Sequence, residues 1–344
     1  MERNHFVDFL KGISIIGVFI IHTLALALSK EHVSIIGLYI DSLFRFAVPF
    51  FFGVLGYMTF TRYQHINDWK KFYKNKAIMV VLPYLLWSLL YFNVPTIYPF
   101  LEKTTGKETV WDILLGYSEI HLYFMVPYIT FILLTPIVVK FIKKFHPKVV
   151  SKVCVILTSL FVLLLVFAEN KYMNGQYSFF HETDYLFIYH WIGYYCIGMF
   201  IGINTQAIAI LVGNIQKVKT RTIILVLVVY LAVVGIFTIT AKVITPYATP
   251  NLVLNALVAL WLLTLIYGKT YYKKITLLIN KLGSNTFPFY LSHILFIKIG
   301  FLLLCSKDVT LISLLLVSLF AFVLSIGYIL VHKKIVQFCM KNKH

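Results

Sequence analysis

The pattern of hydrophobic and polar positions along the chain predicts a membrane protein built from helices. Apolar runs of about twenty residues follow one another, and a run of that length is what an α-helix needs to cross the hydrocarbon core of a bilayer. The predicted fold class is therefore all-α, a polytopic membrane protein. Ten spans are predicted, at residues 12–28, 35–60, 77–94, 120–139, 150–168, 185–203, 222–240, 251–267, 283–304 and 309–331.

Composition supports the same class. Hydrophobic residues make up 60% of the 344 residues, charged residues make up 13%, and the mean hydropathy is +0.85. These values lie outside the range of soluble globular domains. The loops between the predicted spans are too short to hold a soluble domain. We therefore expect one transmembrane domain over residues 1–344.

Basic residues are distributed unequally between alternate loops. With the N-terminus in the cytosol, twenty-three of the 31 lysines and arginines fall in cytosolic segments and only six fall on the opposite side. Such an excess marks the cytosolic side of membrane proteins, so both termini are predicted to be cytosolic. The net charge of +18 is spread over short segments instead of one folded surface. This argues against a nucleic-acid partner and favours anionic lipid or a phosphate-rich cytosolic ligand.

Two residue patterns indicate structure instead of chemistry. The cysteines at 154, 196, 305 and 339 lie far apart in the sequence and form no CxxC pair. Neither a disulfide framework nor a metal site is predicted from them. Gly198 and Gly202 form a GxxxG step, which predicts close packing of the sixth span against another helix.

The first span carries ionisable residues on one face. Asp8 and Lys11 lie at its cytosolic end, and His22 lies inside the apolar run. The eleven residues from Lys11 to His22 return to within ~20° of the same helix face and advance ~16 Å along the axis. Ionisable groups are costly inside a bilayer, so the line from Lys11 to His22 is interpreted as a functional path into the membrane.

Other spans contain further candidates for chemistry. Asp41 and Arg45 lie one turn apart in the second span, where they form either an ion pair that only orients the helix or part of a site. His121 opens the fourth span at the outer surface, and His293 lies within the ninth. The structural alternatives are an interfacial histidine among aromatic side chains for His121, and a helix-packing hydrogen bond for His293.

The ordered set of motifs resembles the acyltransferase-3 family of multipass membrane acyltransferases. Residues 8–13 read DFLKGI and, with His22, resemble that family's basic-x10-His signature on its first span. Lys11 stands where the family usually has arginine, which gives up the planar fork for bidentate contacts. The other matching segments are VPFFFGVLGY at 48–57, FYKNK at 72–76, LPYLLW at 82–87, HLYF at 121–124 and FYLSH at 289–293.

The resemblance implies an activity and a setting. Members transfer an acyl group, most often acetyl, from cytosolic acyl-coenzyme A (acyl-CoA) to a hydroxyl of a cell-surface or exported glycan. The implied donor substrate is acetyl-CoA or another acyl-CoA, with no metal. The implied location is the plasma membrane of a bacterium, among membrane lipid and polysaccharide-synthesis machinery.

The resemblance also suggests roles for the candidates. Lys11, Lys74 and Lys76 are expected to attract the phosphates of the coenzyme. His22 is expected to take the proton from the attacking hydroxyl or to carry the acyl group, and Arg45 to stabilise the oxyanion. The remaining candidates are His121 and His293 as catalytic residues, Asp8 and Asp41 as supporting residues, and Glu119, Glu182 and Asp184, with His121, as acceptor-binding residues.

Two other classes of function remain open on the sequence. A transporter or flippase for a polysaccharide or a lipid-linked sugar would also have about ten spans and buried charges. It would move its substrate without consuming acyl-CoA. A non-catalytic membrane partner of a polysaccharide synthase would tolerate a neutral residue in place of His22.

Overall fold

The described part of the chain is 90% helical. The computed structural model describes residues 4–28, 35–97, 110–173, 186–241, 250–267, 273–305 and 309–341, and no strand occurs within these ranges. The helices are α1 (His5–Leu28), α2 (Ile35–Phe44), α3 (Ala47–Thr61), α4 (Trp69–Lys76), α5 (Leu82–Ile97), α6 (Val110–Leu114), α7 (Met125–Lys144), α8 (Pro147–Met173), α9 (Ile192–Ile203), α10 (Thr205–Gln216), α11 (Thr220–Ala241), α12 (Pro250–Tyr267), α13 (Lys273–Gly283), α14 (Thr286–Leu304) and α15 (Leu311–Lys341).

The apolar helices coincide with the predicted spans. Within the described ranges, seven helical stretches are long and apolar enough to cross a membrane, and they match seven of the ten predictions. Three shorter apolar helices, Ile192–Ile203, Thr220–Ile236 and Leu252–Tyr267, match the sixth, seventh and eighth spans. The prediction of an all-α polytopic membrane protein is confirmed.

The second span is interrupted. The sequence predicted one span over 35–60, but α2 ends at Phe44 and α3 begins at Ala47 after a two-residue turn. The physical reason is Pro49 in the first turn of α3. Proline lacks an N–H, and its ring clashes with the carbonyl four residues earlier, which is that of Arg45. A break between α2 and α3 is therefore favoured over one continuous helix.

The third span extends into a basic helix. The Asp68 side chain caps α4 by accepting a hydrogen bond from the Lys71 N–H (2.8 Å). A stretch of π-helix at Ala77–Val81 joins α4 to α5 without a break. The continuous helix formed by α4, the π-helical stretch and α5 therefore carries Lys74 and Lys76 immediately before its apolar part.

An irregular segment before α7, residues 115–124, brings His121 into the core. Gly116 adopts a φ of +75°, a left-handed conformation that glycine takes without strain. Tyr84 and Ser88 of α5 donate hydrogen bonds to carbonyl groups at the end of α6, at distances of 2.9–3.1 Å. Irregular backbone at membrane depth is tolerated where protein buries it, and His121 is 1% exposed.

Close helix contacts frame the site. A Cβ on Gly198 of α9 would overlap the Gly53 carbonyl of α3, and Gly202 also faces α3. The GxxxG step is thus the packing contact that the sequence predicted. A Cβ on Gly283 of α13 would overlap the Asp8 carbonyl. Helix α13 therefore lies directly against the part of α1 that carries Lys11.

Candidate functional site

Three histidines from separate elements meet in the core, and we call them the histidine cluster. His22 comes from α1, His121 from the segment before α7, and His293 from α14. The ring centroids are 5.0 Å apart for His121 and His293, 5.4 Å for His22 and His293, and 6.1 Å for His22 and His121. All three side chains are buried.

Hydrogen bonds through Tyr290 position two members of the cluster. The Tyr290 hydroxyl donates to the His121 carbonyl oxygen at 2.5 Å. The Tyr290 carbonyl oxygen in turn lies 2.7 Å from Nδ1 of His293. One residue of α14 therefore links the segment that carries His121 to the helix that carries His293.

Tyr91 of α5 enters the hydrogen-bond ladder of α14 beside His293. Its hydroxyl donates to the Leu291 carbonyl (2.8 Å) and accepts from the Leu295 N–H (3.1 Å). In a regular helix these two backbone groups would bond to each other, because they are four residues apart. The inserted hydroxyl satisfies both groups and ties α5 to the turn that contains His293.

The imidazole nitrogens of the cluster are largely unpaired. Nδ1 of His22, both ring nitrogens of His121 and Nε2 of His293 are buried without a hydrogen-bond partner among the described residues. Buried polar atoms usually have partners, and a catalytic role is one of the explanations for an exception. Within the same ranges, no group of three or more His, Cys, Asp or Glu residues is arranged to hold a metal ion.

A cavity of about 260 Å³ joins the histidine cluster to two lysines. His22, His121 and Tyr290 line one end, and Lys11 and Lys76 line the other. The two ends are ~16 Å apart along α1, the rise over the eleven residue steps from Lys11 to His22. The walls between them are aromatic and aliphatic side chains, including Phe51, Leu55, Met58, Phe124, Tyr128 and Phe287.

The two lysines are held by neighbouring side chains. Lys11 Nζ lies 2.8 Å from the Asp8 carboxylate, and the Lys11 side chain is 23% exposed. Lys76 Nζ donates to the Tyr63 hydroxyl (3.1 Å) and lies 5.2 Å from that ring's centroid. Lys74, which the sequence grouped with these two, is exposed and does not line the cavity.

Arg45 and Asp41 form a buried ion pair beside the cavity. Arg45 Nε lies 2.6 Å from Asp41 Oδ2, one turn back on α2. Arg45 is itself 8% exposed. It is not among the residues that line the cavity, and its expected role at the oxyanion stays a prediction.

Two residues that the sequence placed at the outer end of the fourth span are buried in the protein, and the roles expected of them stay predictions. His121 was placed at the membrane surface, but it is 1% exposed because the irregular segment folds inwards. Glu119 was placed among acceptor-binding residues, but it is 2% exposed and its Oε2 lies 2.5 Å from Lys298 Nζ. A carboxylate inside an apolar core requires a partner, and Lys298 supplies it. The other two acidic candidates, Glu182 and Asp184, lie outside the described residues.

Three residues that support the site were given no role from the sequence, although one of them, Tyr290, lies in the FYLSH segment that carries the resemblance. Lys298, Tyr91 and Tyr290 had no assigned role, although Tyr290 lines the cavity and the other two contact the elements of the cluster. A signal existed for Lys298, because a lysine inside an apolar span requires a buried partner. No comparable signal marks Tyr91 among the 23 tyrosines of the chain.

Comparison with known proteins agrees with the motifs. The family model described as an acyltransferase domain, that of the acyltransferase-3 family, matches residues 4–332. No curated protein and no solved structure matches the chain. The matched region contains the histidine cluster, both lysines of the cavity and the Arg45–Asp41 pair. The chain therefore belongs to the acyltransferase-3 family and is a membrane acyltransferase.

Proposed function

We propose that the protein transfers an acetyl group from cytosolic acetyl-CoA to a hydroxyl of a glycan at the opposite face of the membrane. The observation that carries the proposal is the cavity with Lys11 and Lys76 at one end and His22 and His121 at the other. A donor with an anionic nucleotide and a distant thioester requires cations at one end of its site and a proton-transfer group at the other.

The dimensions of the cavity suit the narrow arm of the coenzyme. A volume of 260 Å³ is below the range of about 300–1,000 Å³ typical of pockets for whole small molecules. The nucleotide would therefore stay outside, at the lysine end. The phosphopantetheine arm contains about thirteen bonds in line and extends ~15 Å at ~1.2 Å per bond, close to the ~16 Å between the two ends.

The two lysines at this end of the cavity would bind the phosphates of the donor. Asp8 orients the Lys11 ammonium, and Tyr63 orients that of Lys76 (distances of 2.8 and 3.1 Å). An ammonium group binds phosphate as a point charge with several N–H donors, so one orienting contact leaves donors for the ligand. The positive charge also raises the local concentration of an anionic donor.

At the other end, His22 would act on the acceptor hydroxyl. The imidazole takes the hydroxyl proton while the oxygen bonds to the thioester carbonyl carbon. The carbon–sulfur bond then breaks, and the leaving sulfur takes the proton from the imidazolium to give the free thiol. The positive charge of Arg45 would stabilise the oxyanion between these steps. A covalent acyl-imidazole on His22 is the alternative route, with hydroxyl attack in a second step.

The identity of the acceptor rests on the family resemblance. Members of the family decorate glycans, and on that ground we propose O-acetylation of a cell-surface or exported polysaccharide. The same resemblance supports a bacterial plasma membrane and association with polysaccharide-synthesis machinery.

The test is acyl transfer by the purified protein in liposomes. Radiolabelled acetyl-CoA is supplied on the lysine side, with a panel of glycan acceptors on the other. Wild type is compared with His22→Ala, Lys11→Gln and a control, His146→Ala, which replaces an exposed histidine at the start of α8. We expect His22→Ala to lower turnover by ~10²–10⁴-fold. We expect Lys11→Gln to raise the donor KM with a smaller effect on kcat.

Two results would contradict the proposal. One is transfer of label to glycan at the wild-type rate by His22→Ala. The other is a protein that incorporates no label but moves a lipid-linked glycan across the bilayer, which would assign it a transport function. The His146→Ala control should behave as wild type in every arm.

A further inference from the structure

A second cavity, of about 330 Å³, lies between α1, α3, α9, α10 and α12. Its walls are hydrocarbon over most of their length, supplied by residues such as Val7, Leu10, Phe50, Ile197, Ala256 and Leu260. We call it the apolar groove. Water requires two to four polar partners to be held in a cavity, and the hydrocarbon part of these walls does not supply them.

The groove is long and narrow. On α12 its lining runs from Val253 through Ala256 and Leu260 to Tyr267. The fourteen residue steps from Val253 to Tyr267 correspond to a rise of ~21 Å. An extended hydrocarbon chain advances ~1.2 Å per bond, so about seventeen bonds fit along this face.

Polar groups gather at one end of the groove. Asn4 Nδ2 donates to the Tyr57 hydroxyl (3.0 Å), and both residues line the groove with Thr205 and Tyr267. The contact of the Tyr267 ring with Phe6 (5.0 Å between centroids) places the end of α12 beside the start of α1. At the other end of the groove, Tyr194 supplies a side-chain hydroxyl, the single one among the described lining residues there.

We propose that the apolar groove binds one hydrocarbon chain of a membrane phospholipid, with the ester and headgroup at the end formed by Asn4 and Tyr57. The length and the apolar lining match a phospholipid acyl chain, and the polar residues stand where such a chain joins its glycerol backbone. The bilayer around the protein supplies this ligand. The inference does not rest on the proposed reaction.

The bound chain would support the wall of the catalytic cavity. Val54 of α3 lines both cavities, and Leu10, which lines the groove, precedes Lys11 on α1. A chain in the groove therefore packs against the same turns of α1 and α3 that form one side of the lysine-to-histidine path.

Lipid retention tests the proposal without reference to activity. The protein is purified in mild detergent and examined by native mass spectrometry, as wild type, Ala256→Phe and Leu254→Phe. Ala256 is 6% exposed and lines the groove, whereas Leu254 is 58% exposed on another face of α12. We expect one retained phospholipid in wild type and in Leu254→Phe, and at least a tenfold smaller retained fraction in Ala256→Phe.

A second measurement covers the case in which Ala256→Phe does not fold. Wild-type protein is reconstituted with phosphatidylcholine that carries a diazirine on its acyl chain, and the labelled peptides are mapped. Label concentrated on α9 and α12 residues of the groove supports the proposal. Wild type that retains no lipid, Ala256→Phe that retains as much as wild type, or a retained molecule that is a free fatty acid or an isoprenoid lipid would overturn it.

Discussion

The hydroxyl of Tyr290 holds the backbone that carries His121, one member of the histidine cluster. It donates to the His121 carbonyl, which is otherwise placed by an irregular segment with few backbone hydrogen bonds of its own. At the scale of the residue, the site depends on such groups as much as on the imidazoles themselves. The other donor to this carbonyl, the Phe124 N–H, is more distant (3.4 Å), so the Tyr290 hydroxyl makes the shorter of the two hydrogen bonds.

Tyr290→Phe should destabilise the protein and impair the reaction. The His121 carbonyl keeps only its weaker hydrogen bond from the Phe124 N–H (3.4 Å), so loss of the Tyr290 hydroxyl costs ~0.5–1.5 kcal/mol. Release of His121 should lower kcat more than it changes the donor KM. The measurements are the thermal unfolding midpoint in detergent and the rate of acyl transfer. Tyr39→Phe is the matched control, because it removes a hydroxyl bonded to the Leu231 carbonyl (3.0 Å) outside the cavity. The control should lose similar stability and keep its kcat; equal kcat for Tyr290→Phe and wild type would contradict the prediction.

Lys11→Arg should strengthen donor binding. The change replaces a point charge by a planar fork that binds phosphate through two parallel hydrogen bonds. One additional net hydrogen bond of ~1 kcal/mol corresponds to a donor KM about fivefold lower. Lys74→Arg is the control, since Lys74 is exposed and does not line the cavity. A lower KM in both variants would show general attraction of the donor to basic surface instead of a contact at position 11.

At the scale of the element, the Glu119–Lys298 ion pair joins the irregular segment before α7 to α14. Glu119 is two residues from His121, and Lys298 is five residues from His293. The pair therefore fixes the two elements that bring these histidines to a centroid distance of 5.0 Å.

Loss of one partner of this pair should be worse than loss of both. Lys298→Met leaves a buried carboxylate without its cation, at a cost of ~3–5 kcal/mol, whereas the double variant Glu119→Gln with Lys298→Met buries no net charge. We expect little folded Lys298→Met by size-exclusion chromatography and a recovered folded yield for the double variant. Recovery without full kcat would show that the pair also positions His121. A single variant as stable as the double variant would contradict the argument.

The contact between α3 and α9 makes a second prediction at this scale. Gly198→Ala places a methyl group against the Gly53 carbonyl, so the helices must separate. We expect a loss of stability of ~1–3 kcal/mol, as for other overpacked contacts. Gly327→Ala is the control, because a Cβ built there on α15 meets no other helix among the described residues within 4 Å. That control should be neutral or slightly stabilising by thermal unfolding, since alanine favours the helix.

At the scale of the whole molecule, the positive charge predicts the orientation in the membrane. Reporter fusions after Lys217 and at the C-terminus should behave as cytosolic, and a fusion after Lys171 should behave as extracytoplasmic. A cytosolic reporter that folds only inside the cell and a phosphatase that is active only outside give complementary readouts. The opposite pattern would place Lys11 and Lys76 on the outer face and remove their access to cytosolic acyl-CoA.

The sequence by itself determined the class of the protein and the positions of its spans. Long apolar runs have no stable alternative to helices in a bilayer, because every backbone polar group must be bonded within its own segment. The phase of Lys11 and His22 was also readable, since both lie on one regular helix. These features are local, and local physics is sufficient to predict them.

Only the tertiary structure decided which distant residues come into contact. The cluster of His22, His121 and His293, the cavity that reaches Lys76, and the Glu119–Lys298 pair join residues far apart in the chain. The burial of His121 depends on an irregular segment that only its neighbours stabilise. The lipid bilayer is as apolar as the spans themselves, so hydrophobic patterning does not indicate which spans are adjacent. Packing and buried polar contacts determine how the helices assemble.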